Sequence, residues 1–147
     1  MEQSNAGIAI LGSGNIGLAL ARGLVKSDYC SRAQITLTRR NLSHLSKEMV
    51  EGFEVTDQNH LAVAKATIVI LAVLPQQLNV LLDEISSSID PEKHLVISVV
   101  SGVTCKDIRE KLGNSTPVVR AMPNTAIAIG QSMTCVASDN ASDENVN

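Results

Sequence analysis

Six residues, GSGNIG at positions 12–17, stand between an apolar run at residues 8–11 and an apolar, helix-like stretch at residues 16–25. Glycines punctuate every kind of turn, so the spacing alone says little. A buried strand that breaks into G-x-G-x-x-G and then a helix is, however, the arrangement that binds a dinucleotide. Gly12 permits the tight turn, Gly14 lets the backbone approach a pyrophosphate with no Cβ in the way, and Gly17 lets the helix pack closely on the strand. The helix N-terminus then offers unpaired N–H groups and the positive end of its dipole to the anion. A purely structural strand-to-helix turn is the other reading of the same six residues.

The chain has 147 residues, 44% of them hydrophobic, which suits one domain burying about 68–70% of its unfolded surface. Tyr29 and Phe53 are its only aromatic residues, so Val, Ile, Leu and Ala must build the core. Such cores suit parallel sheets covered by helices. A net charge of −3 and the lack of an aromatic-basic stripe argue against a nucleic-acid partner. No apolar run approaches the roughly 18 residues of a membrane span, and the first residues have neither a basic nor an apolar leader region, so the expectation is no membrane partner and a cytoplasmic location. Cys30, Cys105 and Cys135 are too widely spaced for a metal or redox motif. His44, His60 and His94 lie in polar surroundings, so all three read as surface residues and no metal site is expected.

Strands and helices alternate along the chain. Residues 34–38 read as a second strand, Asn41 as the N-cap of a helix through residue 50, and residues 53–56 as a short third strand. A brief helix over residues 57–64 precedes the continuous TIVILAV of residues 67–73, which reads as a central parallel strand. Pro75 suits the first turn of the next helix, with Leu78, Leu81, Leu82 and Ile85 at helical spacing. After a polar loop at residues 86–93 come a strand at 95–100, a helix opened by a capping box of Thr104 and Asp107, a strand at 118–121 and an edge strand at 133–137. The pattern predicts an α/β fold, a Rossmann-type doubly wound, mostly parallel sheet with helices on both faces. Residues 1–137 read as one cofactor-binding domain, and the polar, acidic residues 138–147 as a linker or tail.

In a domain that reads the ribose 2′-OH of NAD, an acidic residue is expected about 20 residues beyond the glycines. That place holds Thr38, Arg39, Arg40 and Asn41. Arginines there can pair a 2′-phosphate through charge-assisted hydrogen bonds, which favours NADP (NADPH) and leaves NAD as the second choice. An ordinary solvated pair of arginines is the plainer alternative. Ligands of open α/β sheets bind outside the carboxyl ends of the strands, which adds residues 72–75, 99–102 and 122–125 and Asn59. Pro75 and Pro123 can equally be helix-start and turn residues, and Asn124 can serve only the loop backbone.

The combination resembles pyrroline-5-carboxylate reductase. The segments that carry the resemblance are GSGNIG at 12–17, LAVLPQ at 71–76, VISVVSGVT at 96–104 and VVRAMPNT at 118–125. The last of these is much more specific than the glycines. The resemblance implies that Leu11, Gly12, Ser13, Gly14, Asn15 and Ile16 hold the dinucleotide phosphates, and that Thr38, Arg39, Arg40 and Asn41 lie near the adenosine 2′-position. It places Asn59 near the adenosine ribose and Ala72, Val73, Leu74 and Pro75 along the dinucleotide. Val99, Val100 and Ser101, with Met122, Pro123 and Asn124, would flank the nicotinamide. Leu74 stands where the family usually has lysine, Ser101 where it has alanine, and Ala126 where it has proline.

The implied reaction is hydride transfer to the C=N carbon of 1-pyrroline-5-carboxylate, a small-molecule substrate, giving L-proline. No residue of the chain is singled out as catalytic. The family adds a helical domain that makes a homo-oligomer and completes the substrate site, so the chain reads as the cofactor half, inactive by itself. Rival readings are a deazaflavin-dependent NADP reductase, a β-hydroxyacid dehydrogenase and a non-catalytic nucleotide-binding module.

Overall fold

The computed structural model describes residues 6–44 and 51–138. Four-residue runs of aliphatic and β-branched residues make the parallel strands β1 (Ile8–Leu11), β2 (Ile35–Thr38), β4 (Ile68–Leu71) and β5 (Leu95–Ser98). Shorter β3 (Glu54–Thr56), longer β6 (Val118–Pro123) and edge strand β7 (Thr134–Ser138) complete one sheet in the order β3-β2-β1-β4-β5-β6-β7. All pairings are parallel except β6 with β7. The chain therefore runs outward from β1 to β3, returns to β4 beside β1, and runs outward again. The reversal between β1 and β4 leaves a crevice at their carboxyl ends.

Period-two alternation divides the core. Ala9 and Leu11 of β1 face the helices α2 (Asn59–Lys65), α3 (Pro75–Ile85) and α4 (Cys105–Leu112), packing with Val63, Leu82 and Ile108. Ile8 and Ile10 face the opposite side and pack with Ala21 of α1 (Asn15–Lys26), Leu37 and Phe53. Helices thus pack on both faces of the central strands, as apolar strands require, while every residue of edge strand β7 is exposed. Pro75 is the first residue of α3. Thr104 caps α4, its hydroxyl accepting from the Asp107 N–H at 3.1 Å while the Asp107 carboxylate accepts from the Thr104 N–H at 2.8 Å.

Two expectations shift. A 3-10 turn occupies Leu42–His44, with Asn41 Oδ1 accepting from the Ser43 N–H as a cap does; the rest of the helix expected through residue 50 lies outside the described residues, as do residues 139–147. His94 is not on the surface. It is 3% exposed, in a turn closed by the His94 N–H donating to the Asp90 carbonyl at 2.8 Å. Its Nδ1 accepts from the Asp90 N–H at 2.8 Å, so the proton sits on Nε2 and is donated to the Val63 carbonyl at 3.2 Å. His60 is exposed as expected.

Candidate functional site

The crevice is built around the turn after β1. Gly12 has φ +104°, and a Cβ there would lie 2.6 Å from the Ala72 carbonyl oxygen, so the end of β4 passes too close for any other residue. Gly17 is pressed against the turn itself, since its Cβ would lie 2.0 Å from the Gly12 oxygen. Gly14 differs from both. It is exposed, a Cβ would meet nothing within 4 Å, and it forms the N-cap of α1 with no side-chain cap. The first-turn amides of α1 at exposed Asn15 and Ile16 are thus left without the usual Ser, Thr, Asp or Asn acceptor. The Ser13 hydroxyl is buried without a hydrogen-bond partner. An open glycine, an uncapped helix and an orphaned hydroxyl together fit a dinucleotide's phosphates.

β2 supplies the neighbouring wall. Thr38 is buried, its carbonyl accepting from the Ser13 N–H at 3.0 Å and its Oγ1 from the Gly12 N–H at 3.3 Å. Arg39 is half-buried; its N–H donates to the Thr56 carbonyl at 3.1 Å and its Nη1 reaches the Ser13 carbonyl at 3.4 Å. The guanidinium is thereby held across the back of the glycine turn. Arg40 and Asn41 are exposed. Asn59, at the start of α2, accepts from the Thr38 hydroxyl at 2.6 Å and donates from Nδ2 to both Glu84 oxygens at 3.1 Å. Sequence reasoning passed over Glu84. It lies 25 residues from Asn59 on α3, within a helix whose spacing points only to its apolar face.

The other strand ends are brought to the same edge but differ in what they present. Ala72 and Val73 are half-buried beside Gly12, while Leu74 and Pro75 are exposed. Val99 and Val100 are 7% and 2% exposed, so their side chains belong to the core and Ser101 is the exposed member of that set. Met122 and Pro123 are half-buried. Pro123 closes β6 beyond the last pair with β5, where a strand needs no N–H on that side. The Asn124 carbonyl oxygen Oδ1 accepts from the Ala126 N–H at 3.1 Å, capping the 3-10 helix Thr125–Ile129. That is the backbone-serving role the sequence left as its alternative. A separate cleft of about 590 Å³ between α3 and α4 shares no residue with this edge. Two of its charged residues are already engaged, Asp107 in the α4 cap and Lys111 in an ion pair with Asp83 at 2.8 Å.

Residues 7–102 match the family described as NADP oxidoreductase, coenzyme F420-dependent. The chain belongs to that family. Among curated relatives it is similar to pyrroline-5-carboxylate reductase 1 of Dictyostelium discoideum, 51% identical over 137 residues, which covers 93% of this chain and 25% of the relative. Pyrroline-5-carboxylate reductase 2 of the same organism is 48% identical over 140 residues, covering 92% and 46%. Among solved structures, a pyrroline-5-carboxylate reductase from Coxiella burnetii superposes with a TM-score of 0.91 at 30% identity, over 97% of this chain and 53% of that one. The chain thus spans a quarter to about half the length of these relatives. The matched family region ends before VVRAMPNT, the segment that separates the rival reductases, whereas the 137-residue match reaches most of the chain. The resemblance read from the motifs therefore holds.

Proposed function

We propose that this chain is the NADP-binding portion of a pyrroline-5-carboxylate reductase, with NADPH preferred over NADH. The observation that carries the preference is Arg39, held by the Ser13 carbonyl at the end of β2 where an NAD-binding domain would present a carboxylate. The Plasmodium falciparum pyrroline carboxylate reductase with NADP bound shares the fold, at a TM-score of 0.85 and 21% identity. When bound, the cofactor would supply the hydride that reduces the imine of 1-pyrroline-5-carboxylate to L-proline. The chain's own residues bind and orient. The Gly14 turn and the first amides of α1 take the pyrophosphate, Arg39 with Arg40 takes the 2′-phosphate, and Ala72 to Pro75 support the dinucleotide along β4. Ser101, Met122 and Pro123 border the nicotinamide end.

The proposal has further parts. The domain extends over residues 1–137, the substrate is a small molecule, and the complete enzyme acts in the cytoplasm as a homo-oligomer. Among the described residues, no helix is long and apolar enough to cross a membrane. Titrating the chain with NADPH and NADH is the direct test. Arg39→Ala should weaken NADPH binding by roughly tenfold or more, as loss of a charge-assisted contact does, and leave NADH nearly unchanged. Exposed Arg40 should matter less. Equal losses for both nucleotides would overturn the assignment. By themselves, these 147 residues should reduce no pyrroline-5-carboxylate at saturating NADPH, and turnover would overturn that claim.

A further inference from the structure

We infer that Glu84, on α3 and outside every dinucleotide motif, is a positioning residue for the glycine turn, acting through Asn59 and Thr38. The inference rests on the dinucleotide-binding reading of that turn and extends it by one residue.

The chain of contacts has a direction that the donor and acceptor inventory decides. A carboxylate can only accept. Both Glu84 oxygens lie 3.1 Å from Asn59 Nδ2, so the amide nitrogen points to Glu84 and Oδ1 points to Thr38. The Thr38 hydroxyl has one proton, and it donates that proton to Asn59 Oδ1 at 2.6 Å. Its lone pair is then free to accept the Gly12 N–H at 3.3 Å. With the amide turned over, two acceptors would confront one another at Glu84, and the Thr38 proton would lose its acceptor inside a site that is 2% exposed. Thr38 favours this orientation from one end of the amide, and Glu84 fixes it from the other.

What the relay holds is the amide of Gly12, the residue whose φ of +104° sets the turn and whose carbonyl sits under Gly17. The turn meets the pyrophosphate, which NADPH and NADH share. Arg39, by contrast, lies toward the group that distinguishes them. Loss of the relay should therefore weaken both nucleotides by one common factor.

The test is a double-mutant cycle on the full chain, read by fluorescence titration with NADPH and NADH. Glu84→Ala should raise both dissociation constants by roughly three- to tenfold, the worth of one ordinary hydrogen bond. Glu84→Gln keeps an oxygen for Asn59 Nδ2 and should bind within about twofold of the unaltered chain, whereas a role for the charge alone would not be rescued. Asn59→Ala removes the link, so adding Glu84→Ala to it should cost nothing more. Additive losses, a loss confined to NADPH, or a Glu84→Ala chain that binds normally would each overturn the relay. Binding of neither nucleotide by the unaltered chain is a different failure, which overturns the dinucleotide reading and the relay with it.

Discussion

The same substitution made twice in α1 should have opposite signs. Gly→Ala inside a helix removes backbone entropy from the unfolded chain and adds helix propensity, together favourable by about 1 kcal/mol. At Gly23 nothing lies within 4 Å of the new Cβ, so that gain should appear in full. At Gly17 the new Cβ falls 2.0 Å from the Gly12 carbonyl oxygen and 3.3 Å from Ile10 Cγ2. The obstacle is backbone in a turn tied to β2, not a side chain that can rotate away. To regain the 3.4 Å of ordinary contact, α1 must retreat by about 1.4 Å. That loosens Ala21 and the leucines it brings to the β1 and β2 face.

Overpacking of this kind costs about 1–3 kcal/mol, and a contact with fixed backbone belongs at the upper end. Offsetting it by the propensity gain leaves Gly17→Ala destabilised by roughly 2 kcal/mol. At about 2–4 °C per kcal/mol for a domain of this size, the thermal midpoint should fall by roughly 4–8 °C for Gly17→Ala and rise by roughly 2–4 °C for Gly23→Ala. Circular dichroism at 222 nm follows both. NADPH affinity should fall only in the first, since the retreat carries the first-turn amides away from Gly14. If both midpoints moved in the same direction, close packing would not be the reason for Gly17.

The His94 imidazole is held below its usual pKa, chiefly by burial and secondarily by the charge of Lys93. The fold therefore favours the neutral ring, so its contribution to stability is present above about pH 6.5 and is lost as pH falls through the lowered folded value. The urea midpoint should drop between pH 7.5 and 5 more steeply in the unaltered chain than in His94→Leu; parallel slopes would contradict this. Thr104→Ala should cost about 1 kcal/mol in a urea titration through loss of the α4 cap. The Asp107 carboxyl, held low mainly by the Thr104 hydroxyl and then by its N–H, should titrate closer to its ordinary value in that variant, as NMR can follow. Ser13→Ala removes a hydroxyl that has no partner within the fold, so it should leave the thermal midpoint unchanged or raised while weakening NADPH binding. A lowered midpoint would show the hydroxyl to be structural.

Features carried by local chemistry are legible in the sequence. TIVILAV could only be a strand buried on both faces, and β4 lies at the centre of the sheet. Pro75 and the Thr104–Asp107 box open helices through geometry contained within four residues. What escaped notice depends on chain return. His94 follows Pro-Glu-Lys and is polar by every local measure, yet it is buried because α2, 31 residues earlier, offers the Val63 carbonyl. Glu84 looks like any solvated helix carboxylate until α2 and α3 are set side by side. Val99 and Val100 follow β5, but whether a strand end turns its side chains inward depends on the helix packed beneath it.

The end of β2 shows how one short segment can serve two purposes. Side chains alternate across a strand, so adjacent residues face opposite ways. Thr38 turns its hydroxyl toward Gly12 and Asn59, and Arg39 leaves the strand on the other side to reach behind Ser13. In an NAD-reading domain this strand end carries the acid that accepts from the ribose. Here the acid has no counterpart at the strand end, and the carboxylate nearest in the hydrogen-bond chain, Glu84, acts two residues removed from Gly12. Under the proposed function, turn geometry and nucleotide choice rest on different side chains of one dipeptide. On the reading proposed here, either can be altered without the other, and a change of cofactor preference at Arg39 need not disturb the turn that binds the pyrophosphate.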